Sequence, residues 1–322
     1  MRSSINENAL AIFREILDQK DELGCAVTEQ ENGAIVIDSG IEVTGSMEAG
    51  RLIGELCMGG LGAIRLSNIH IEDMTLPSVI VGTESPAIAT LGSQHSDWTI
   101  EVGDYTALGS GPARALAFPD SEIYSQMDYK DSSKSGVILL ETRELPTEDV
   151  TDYIAESCGI SSSNLYCIVV PAASKAGSVQ ISARILAVGF FRLHRLGLSP
   201  QKIRRGHGVA PIAPVAGNDQ SAIGISNDCI VYGGSVYLIV RSDESDDIAS
   251  LTGKAPFSAT SYSESSFYDL FRAVDFDFQK MNPNVFSPAE LTISDIETGE
   301  YYKAGALNPD MLRASLNTIQ EK

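Results

Sequence analysis

Histidine, tryptophan and basic residues are scarce in this chain. Its 322 residues include four histidines and one tryptophan. No HExxH or HxH arrangement is present, which argues against a histidine-built metal site. The five cysteines (Cys25, Cys57, Cys158, Cys167 and Cys229) form no CxxC pair. An odd, scattered set reads as reduced thiols, small buried hydrophobes of a cytoplasmic protein. Lysine and arginine number 23 against 43 acidic residues, a formal net charge of −20. Nucleic acid needs a basic surface, so that class is excluded, and an anionic membrane surface is disfavoured. The acidic excess suits solubility in a salty cytosol. No apolar run reaches membrane-spanning length, and the polar helix after Met1 is unlike a signal peptide.

The usual nucleotide and acyl-transfer motifs are also missing. No glycine loop is followed by Lys-Ser/Thr at Walker spacing, and no Gly-x-Ser-x-Gly elbow occurs. Gly109-Ser110-Gly111 imitates a dinucleotide fingerprint, but Pro112 removes an N–H where phosphate would need one.

What is present is a well-supplied core, with 43% apolar residues, in alternating helix and strand signals. That alternation predicts an α/β fold with mixed α+β features. Amphipathic spacing predicts a helix over 6–23. Alternating runs at 25–30 and 34–38 flank Asn32-Gly33, a type I′ hairpin signal. Ser46 is an expected N-cap. Strands are expected at 63–67, 78–82, 98–102, 136–141 and 165–170, and helices over 147–157 and, after a Pro-Ala-Ala-Ser-Lys-Ala-Gly turn at 171–177, to about Leu196. The polar span 118–135 reads as an excursion or domain joint. His207–Asp219 reads as a loop, Asn227–Tyr232 and Val236–Val240 as paired strands, and 264–274 and 287–297 as helices. The length fits two units, 1–145 and 146–322, or units discontinuous in sequence.

Candidate chemistry gathers at glycine-rich segments 58–62, 109–114 and 205–217, with Arg65, Arg114, Lys175, Arg204 and Arg205 nearby for an anionic ligand. The segment Gly177-Ser178-Val179-Gln180-Ile181-Ser182-Ala183-Arg184 is more informative. Gln180 and Arg184 are spaced to share a helical face near the helix start, where unpaired N–H groups favour anions. His207 is the histidine best placed for site work, and Asp104, Asp219 and Asp228 are carboxylates in small-residue surroundings.

These blocks, taken in order, resemble the methenyltetrahydromethanopterin cyclohydrolase family. The matching stretches are Asn32-Gly33-Ala34, Glu48-Ala49-Gly50, Cys57-Met58-Gly59-Gly60-Leu61-Gly62, Pro86-Ala87-Ile88-Ala89-Thr90-Leu91-Gly92 and Gly103-Asp104-Tyr105. The Gly109–Leu116 and Gly177–Arg184 stretches, Gly208–Pro214, Asn227-Asp228 and Tyr232-Gly233-Gly234 continue the match to about residue 240. The resemblance implies reversible hydrolysis of the cationic 5,10-methenyl bridge of tetrahydromethanopterin to the N5-formyl compound, as in archaeal one-carbon metabolism and methanogenesis. It implies no metal and no prosthetic group, with the pterin coenzyme as substrate. It also implies two α/β units flanking a pterin pocket, and a homotrimer in the cytoplasm. Among site residues it points to Arg184 and position 187 for catalysis, and to Met58, Gly59, Gly60, Ser93, Gln94, Ser110, Arg114, Gln180, Ser182 and Asp228 for the substrate.

One departure stands out. The family's helix motif reads Ala-Arg-x-x-Glu, with Glu as the acid/base beside Arg. Here the Glu position is Ala187, in Ala183-Arg184-Ile185-Leu186-Ala187. Three readings stay open: a deliberately inactivated variant, a protein that uses another carboxylate or His207, and a binding-competent but slow homologue.

Overall fold

The computed structural model describes residues 4–317. Its strands are β1 (Ala26–Glu29), β2 (Ile35–Asp38), β3 (Gly62–Ile71), β4 (Met74–Thr83), β5 (Trp98–Val102), β6 (Tyr105–Ser110), β7 (Gly136–Glu141), β8 (Leu165–Val169), β9 (Ile203–Pro211), β10 (Ser235–Val240), β11 (Glu290–Asp295) and β12 (Tyr301–Gly305). They form two six-stranded sheets, interleaved with helices, in the expected α/β class. The chain divides into two compact units, both discontinuous in sequence. The first runs to Ala63 and resumes over Ile88–Gln180; the second is Ile64–Ala87 and everything from Ile181. A cut at 145/146 falls inside the first unit.

The first unit carries the sheet β1-β2-β8-β7-β6-β5. Strands β2 and β7 both run parallel to β8, and the remaining pairs are antiparallel. Parallel strands covered on both faces read as continuous apolar runs, and β7 shows the consequence residue by residue. Val137 and Leu139 enter a core with Phe13, Leu52 and Ile53 from the helices Ile5–Asp18 and Met47–Cys57. Ile138 and Leu140 point the other way, into a core with Trp98, Val150 and Ile154. Period-two alternation thus survives inside an uninterrupted hydrophobic stretch.

The first helix enters this sheet through a polar residue. Asn6 is fully buried. Its Nδ2 donates to the Pro112 carbonyl (2.9 Å) and to Asp131 Oδ2 (3.0 Å), while its Oδ1 accepts the Val137 N–H (3.0 Å).

Two local expectations change. β1 and β2 pair antiparallel, but their connection spans 30–34 and only Gly33 has positive φ, +88°. A type I′ turn needs positive φ at both centres. The Asn32 amide is occupied elsewhere: Nδ2 donates to Thr151 Oγ1 (2.9 Å) and Asp152 Oδ1 (2.8 Å), pinning the loop to the helix Glu148–Cys158. The 118–135 span is not a joint. It holds the helix Glu122–Met127 within the first unit, and the buried Tyr124 hydroxyl donates to the Gly92 carbonyl at 2.6 Å.

The second unit carries β12-β11-β10-β9-β4-β3, with β10 and β11 parallel. Four expectations are corrected here. Asn227–Tyr232 lies in the helix Asp219–Gly233, whose N-cap Asn218 accepts the Ser221 N–H at 2.8 Å. Residues 224–233 of that helix are all buried. A helix enclosed on every side loses the polar stripe that marks the 3.6-residue period. The 287–297 span contains strand β11 instead of a helix, and His207–Pro211 is strand rather than loop. The long helix to Leu196 is two helices, Lys175–Ser182 and Ile185–Arg195, joined by a turn in which the Arg184 N–H bonds back to the Ile181 carbonyl at 3.0 Å.

Asn6→Ala is expected to destabilise the protein by about 3 kcal/mol or more, since it strands the Val137 N–H, the Pro112 carbonyl and Asp131 in a buried site. Urea unfolding monitored at equilibrium measures it.

Candidate functional site

In the first unit, the helix Met47–Cys57 is capped by Ser46, whose Oγ accepts the Ala49 N–H at 3.0 Å. It ends at Met58-Gly59-Gly60. Both glycines are left-handed, φ +67° and +64°, and a Cβ at Gly59 would lie 2.7 Å from Ile5 Cβ. Only glycine fits so tight a reversal under the first helix.

Residues Ile88–Gln94 form a π-helix, a rare form that recurs at functional sites. Ser93 joins it to both neighbouring loops. Its Oγ donates to the Cys57 carbonyl (2.7 Å), and its own carbonyl accepts the Gly111 N–H (2.9 Å). Cys57 Sγ and Ser110 Oγ are 3.3 Å apart. Arg114, expected to bind an anionic ligand, is 2% exposed. Its guanidinium donates to the Leu91 carbonyl (3.3 Å) and pairs with Asp97 at 2.5 Å. The fold therefore brings Met58, Gly59, Gly60, Ser93, Gln94, Ser110 and Arg114 into one cluster, at the end of β7 where the Ala113 N–H bonds the Val137 carbonyl.

Gln180 belongs to the same unit but to the other end of β7. It is 1% exposed, and its Nε2 donates to Glu141 Oε2 at 2.7 Å. Sequence reasoning passed over Glu141. Its signal was present: a carboxylate closing the apolar run Gly136-Val137-Ile138-Leu139-Leu140.

In the second unit, Ser182 Oγ donates to the Pro211 carbonyl at 2.9 Å. Arg184 is the half-buried N-cap residue of Ile185–Arg195, so the Gln180–Arg184 spacing is interrupted by the turn and is not one continuous helical face. Ala187 lies in the first turn of that helix, 8% exposed, and this turn contains no acidic residue. Ile185 and Leu186 pack on β9: a Cβ at Gly206 would meet Leu186 Cδ1 at 2.7 Å, and one at Gly208 would meet Ile185 Cγ2 at 2.9 Å. His207 lies between those glycines. Strand alternation turns it to the opposite sheet face, exposed and stacked over Gly82. It faces away from Ala187.

Asp228 is 1% exposed. It accepts the Phe267 N–H at Oδ1 and the Ser315 hydroxyl at Oδ2, both at 2.7 Å, and so ties three helices together. Burial pushes its carboxyl up to about 7. Among the described residues no group of three or more His, Cys, Asp or Glu side chains is arranged to hold a metal ion.

A family profile described as Cyclohydrolase (MCH) matches residues 4–316. Methenyltetrahydromethanopterin cyclohydrolase of Methanocaldococcus jannaschii is 42% identical over 97% of this chain and 98% of its own. The chain belongs to this family. Its relatives of the same name include that of Methanothermobacter marburgensis, 42% identical over 97% of this chain and 98% of its own, and that of Methanococcoides burtonii, 38% identical over the same shares. Membership makes the chain an enzyme of the cyclohydrolase type. The match continues through the last eighty residues, where motif reading found little, because β11, β12 and the helix Pro309–Asn317 complete the second unit.

Asp228 sets a pH dependence of stability. Its carboxyl ionises near 3.8 when unfolded and near 7 when folded. The stability it contributes is complete below about pH 4 and falls as pH rises through 7, by about 4 kcal/mol in total. Asp228→Asn is expected to flatten the difference in urea midpoint between pH 5 and pH 8. An unchanged difference contradicts this.

Proposed function

We propose that this protein catalyses the reversible hydrolysis of 5,10-methenyltetrahydromethanopterin to N5-formyltetrahydromethanopterin. The observation that carries this is the near-full-length match to relatives of that name, which extends through the loop cluster and the Gly177–Arg184 signature. The substrate is a pterin coenzyme whose methenyl carbon bridges two nitrogens and carries positive charge. Water attacks that carbon, a carboxylate takes the proton, and the tetrahedral adduct collapses with C–N cleavage. The proposal places Arg184 and position 187 at the reacting carbon. Met58, Gly59, Gly60, Ser93, Gln94, Ser110, Arg114, Gln180, Ser182 and Asp228 act in holding the coenzyme or shaping the walls around it. Asp228 fits the second of these roles, because both its oxygens are engaged within the fold. The reaction as proposed needs no metal and no prosthetic group, and the protein acts as a cytoplasmic homotrimer in one-carbon metabolism.

A second reading has an observation of its own. The first turn of Ile185–Arg195 lacks the carboxylate expected at position 187, which favours a homologue that binds tetrahydromethanopterin without turning it over.

Absorbance of the methenyl compound separates the two. Its loss on adding protein supports the hydrolase, and saturable binding without loss supports the binder. Ala187→Glu is expected to raise turnover at least tenfold, because the new carboxylate stands at a helix N-terminus, where ionised acids are favoured. Unchanged or lower turnover with binding intact overturns that expectation.

A further inference from the structure

The sheet of the second unit has two unlike faces. On one face the helix Ile185–Arg195 lies against the strands. Leu186 and Ile185 fill the space over Gly206 and Gly208 of β9, and a Cβ at Gly189 would meet Val236 Cγ1 of β10 at 3.0 Å. Alternation sends the neighbours of those strand residues to the opposite face. There Ile80 is paired with Val209, and Tyr237 with His207 and Thr292. Ile239 is paired with Arg205 and Ser294, and Ser294 in turn with Tyr301. We propose that this second face is the surface on which another copy of this chain docks. Such a surface serves the assembly proposed above, whatever reaction the protein catalyses.

Side-chain character is the first reason. A sheet face left to water carries polar residues in alternation with the apolar ones of its core face. Here Ile80 is 40% exposed, Tyr237 38% and Tyr301 63%. Val209 and Ile239 are half-buried among them. A single exposed apolar residue needs no explanation. These five run in register across the sheet from β4 to β12, and contiguous exposed apolar surface marks an interaction site.

Charge selects the partner. The chain carries a net charge of −20, so two copies repel each other over most of their surface. The charged side chains at the outward positions from β4 to β12 cancel locally. Arg205 Nε donates to Glu84 Oε2 at 2.8 Å, and Lys303 Nζ lies 2.8 Å from Glu290 Oε2. A face of balanced charge is complementary to itself, and a second copy meets no net repulsion there. Nucleic acid and anionic membranes ask for a basic surface, and this face is balanced.

Size fits as well. The strands are five to ten residues long. Six of them, about 4.8 Å apart and rising about 3.3 Å per residue, outline roughly 700 Å². A stable protein–protein contact uses about 800 Å² per partner. Pairing edge to edge is disfavoured, because the edge strand β12 carries Lys303 at its centre.

Two measurements test the surface. In the first, mass is followed by sedimentation as the chain is diluted. The unsubstituted chain is expected to exceed the 34.4 kDa of one copy at micromolar concentration. Tyr237→Glu puts like charges into the contact. It is expected to raise the concentration of half-assembly about 30-fold or more. Tyr153→Glu, at an exposed tyrosine of the first unit, is expected to leave it unchanged. In the second, Ile80→Cys places one thiol on the face of a chain whose own five cysteines are buried. Its rate of reaction with a maleimide is expected to fall in proportion to the assembled fraction. An unsubstituted chain that stays at 34.4 kDa at every concentration overturns both the surface and the assembly. Assembly in which the thiol at position 80 keeps its full reactivity overturns this surface alone. So does Tyr237→Glu assembling as the unsubstituted chain does.

Discussion

The side-chain amide of Asn6 holds the first unit in register. It is a polar group placed where the sheet, the first helix and the glycine loop 109–114 meet, and its three hydrogen bonds reach the Pro112 carbonyl, Asp131 and the Val137 N–H. A buried amide of this kind is costly unless satisfied and directional once it is. Apolar packing of Ile5, Leu10 and Phe13 would tolerate small slides of the helix over the sheet. The amide does not, because any slide leaves a buried donor or acceptor without a partner. The reversal at Gly59 depends on this register, since it passes directly against Ile5.

From that fixed point the candidate residues of the first unit are laid out along one strand. β7 receives the loop cluster at Val137 and ends at Glu141. Four residues of strand separate the two positions by roughly 13 Å. The two groups of site residues are thus neither adjacent nor independent: the same strand, rigid and packed on both faces, sets their spacing.

Charge in this protein follows two rules. Most of the acidic excess sits outside the cores. The few ionic groups taken inside are each bound to something specific. Arg114 meets Asp97 and a π-helix carbonyl, Asp228 meets a backbone N–H and a serine, and the Arg192 guanidinium meets Asn284 and the Lys254 carbonyl. Arg114 is the instructive case. Its place beside a glycine loop suggests an arginine for phosphate or carboxylate, whereas the fold uses it to hold the π-helix that carries Ser93 and Gln94.

The sequence by itself determined the α/β class, the existence of strands β7 and β8, the cap at Ser46, the glycine reversals and the family. Each of these rests on local chemistry: apolar runs, a hydroxyl before a helix, positive φ, and ordered blocks of residues. It also exposed the departure at Ala187. Tertiary structure decided what local signals cannot carry. Asn227–Tyr232 reads as strand because burial on every side erases the period of the helix it belongs to. Asn32 abandons a type I′ turn because its amide is drawn to Thr151 and Asp152, more than a hundred residues away. His207 is removed from the reckoning by the parity of a strand that turns it to the face opposite Ile185 and Leu186. Gln180 finds its partner in the same way: no spacing rule joins positions 141 and 180, and only the parallel pairing of β7 with β8, followed by the return of the chain as a helix, places the Gln180 amide on the Glu141 carboxylate.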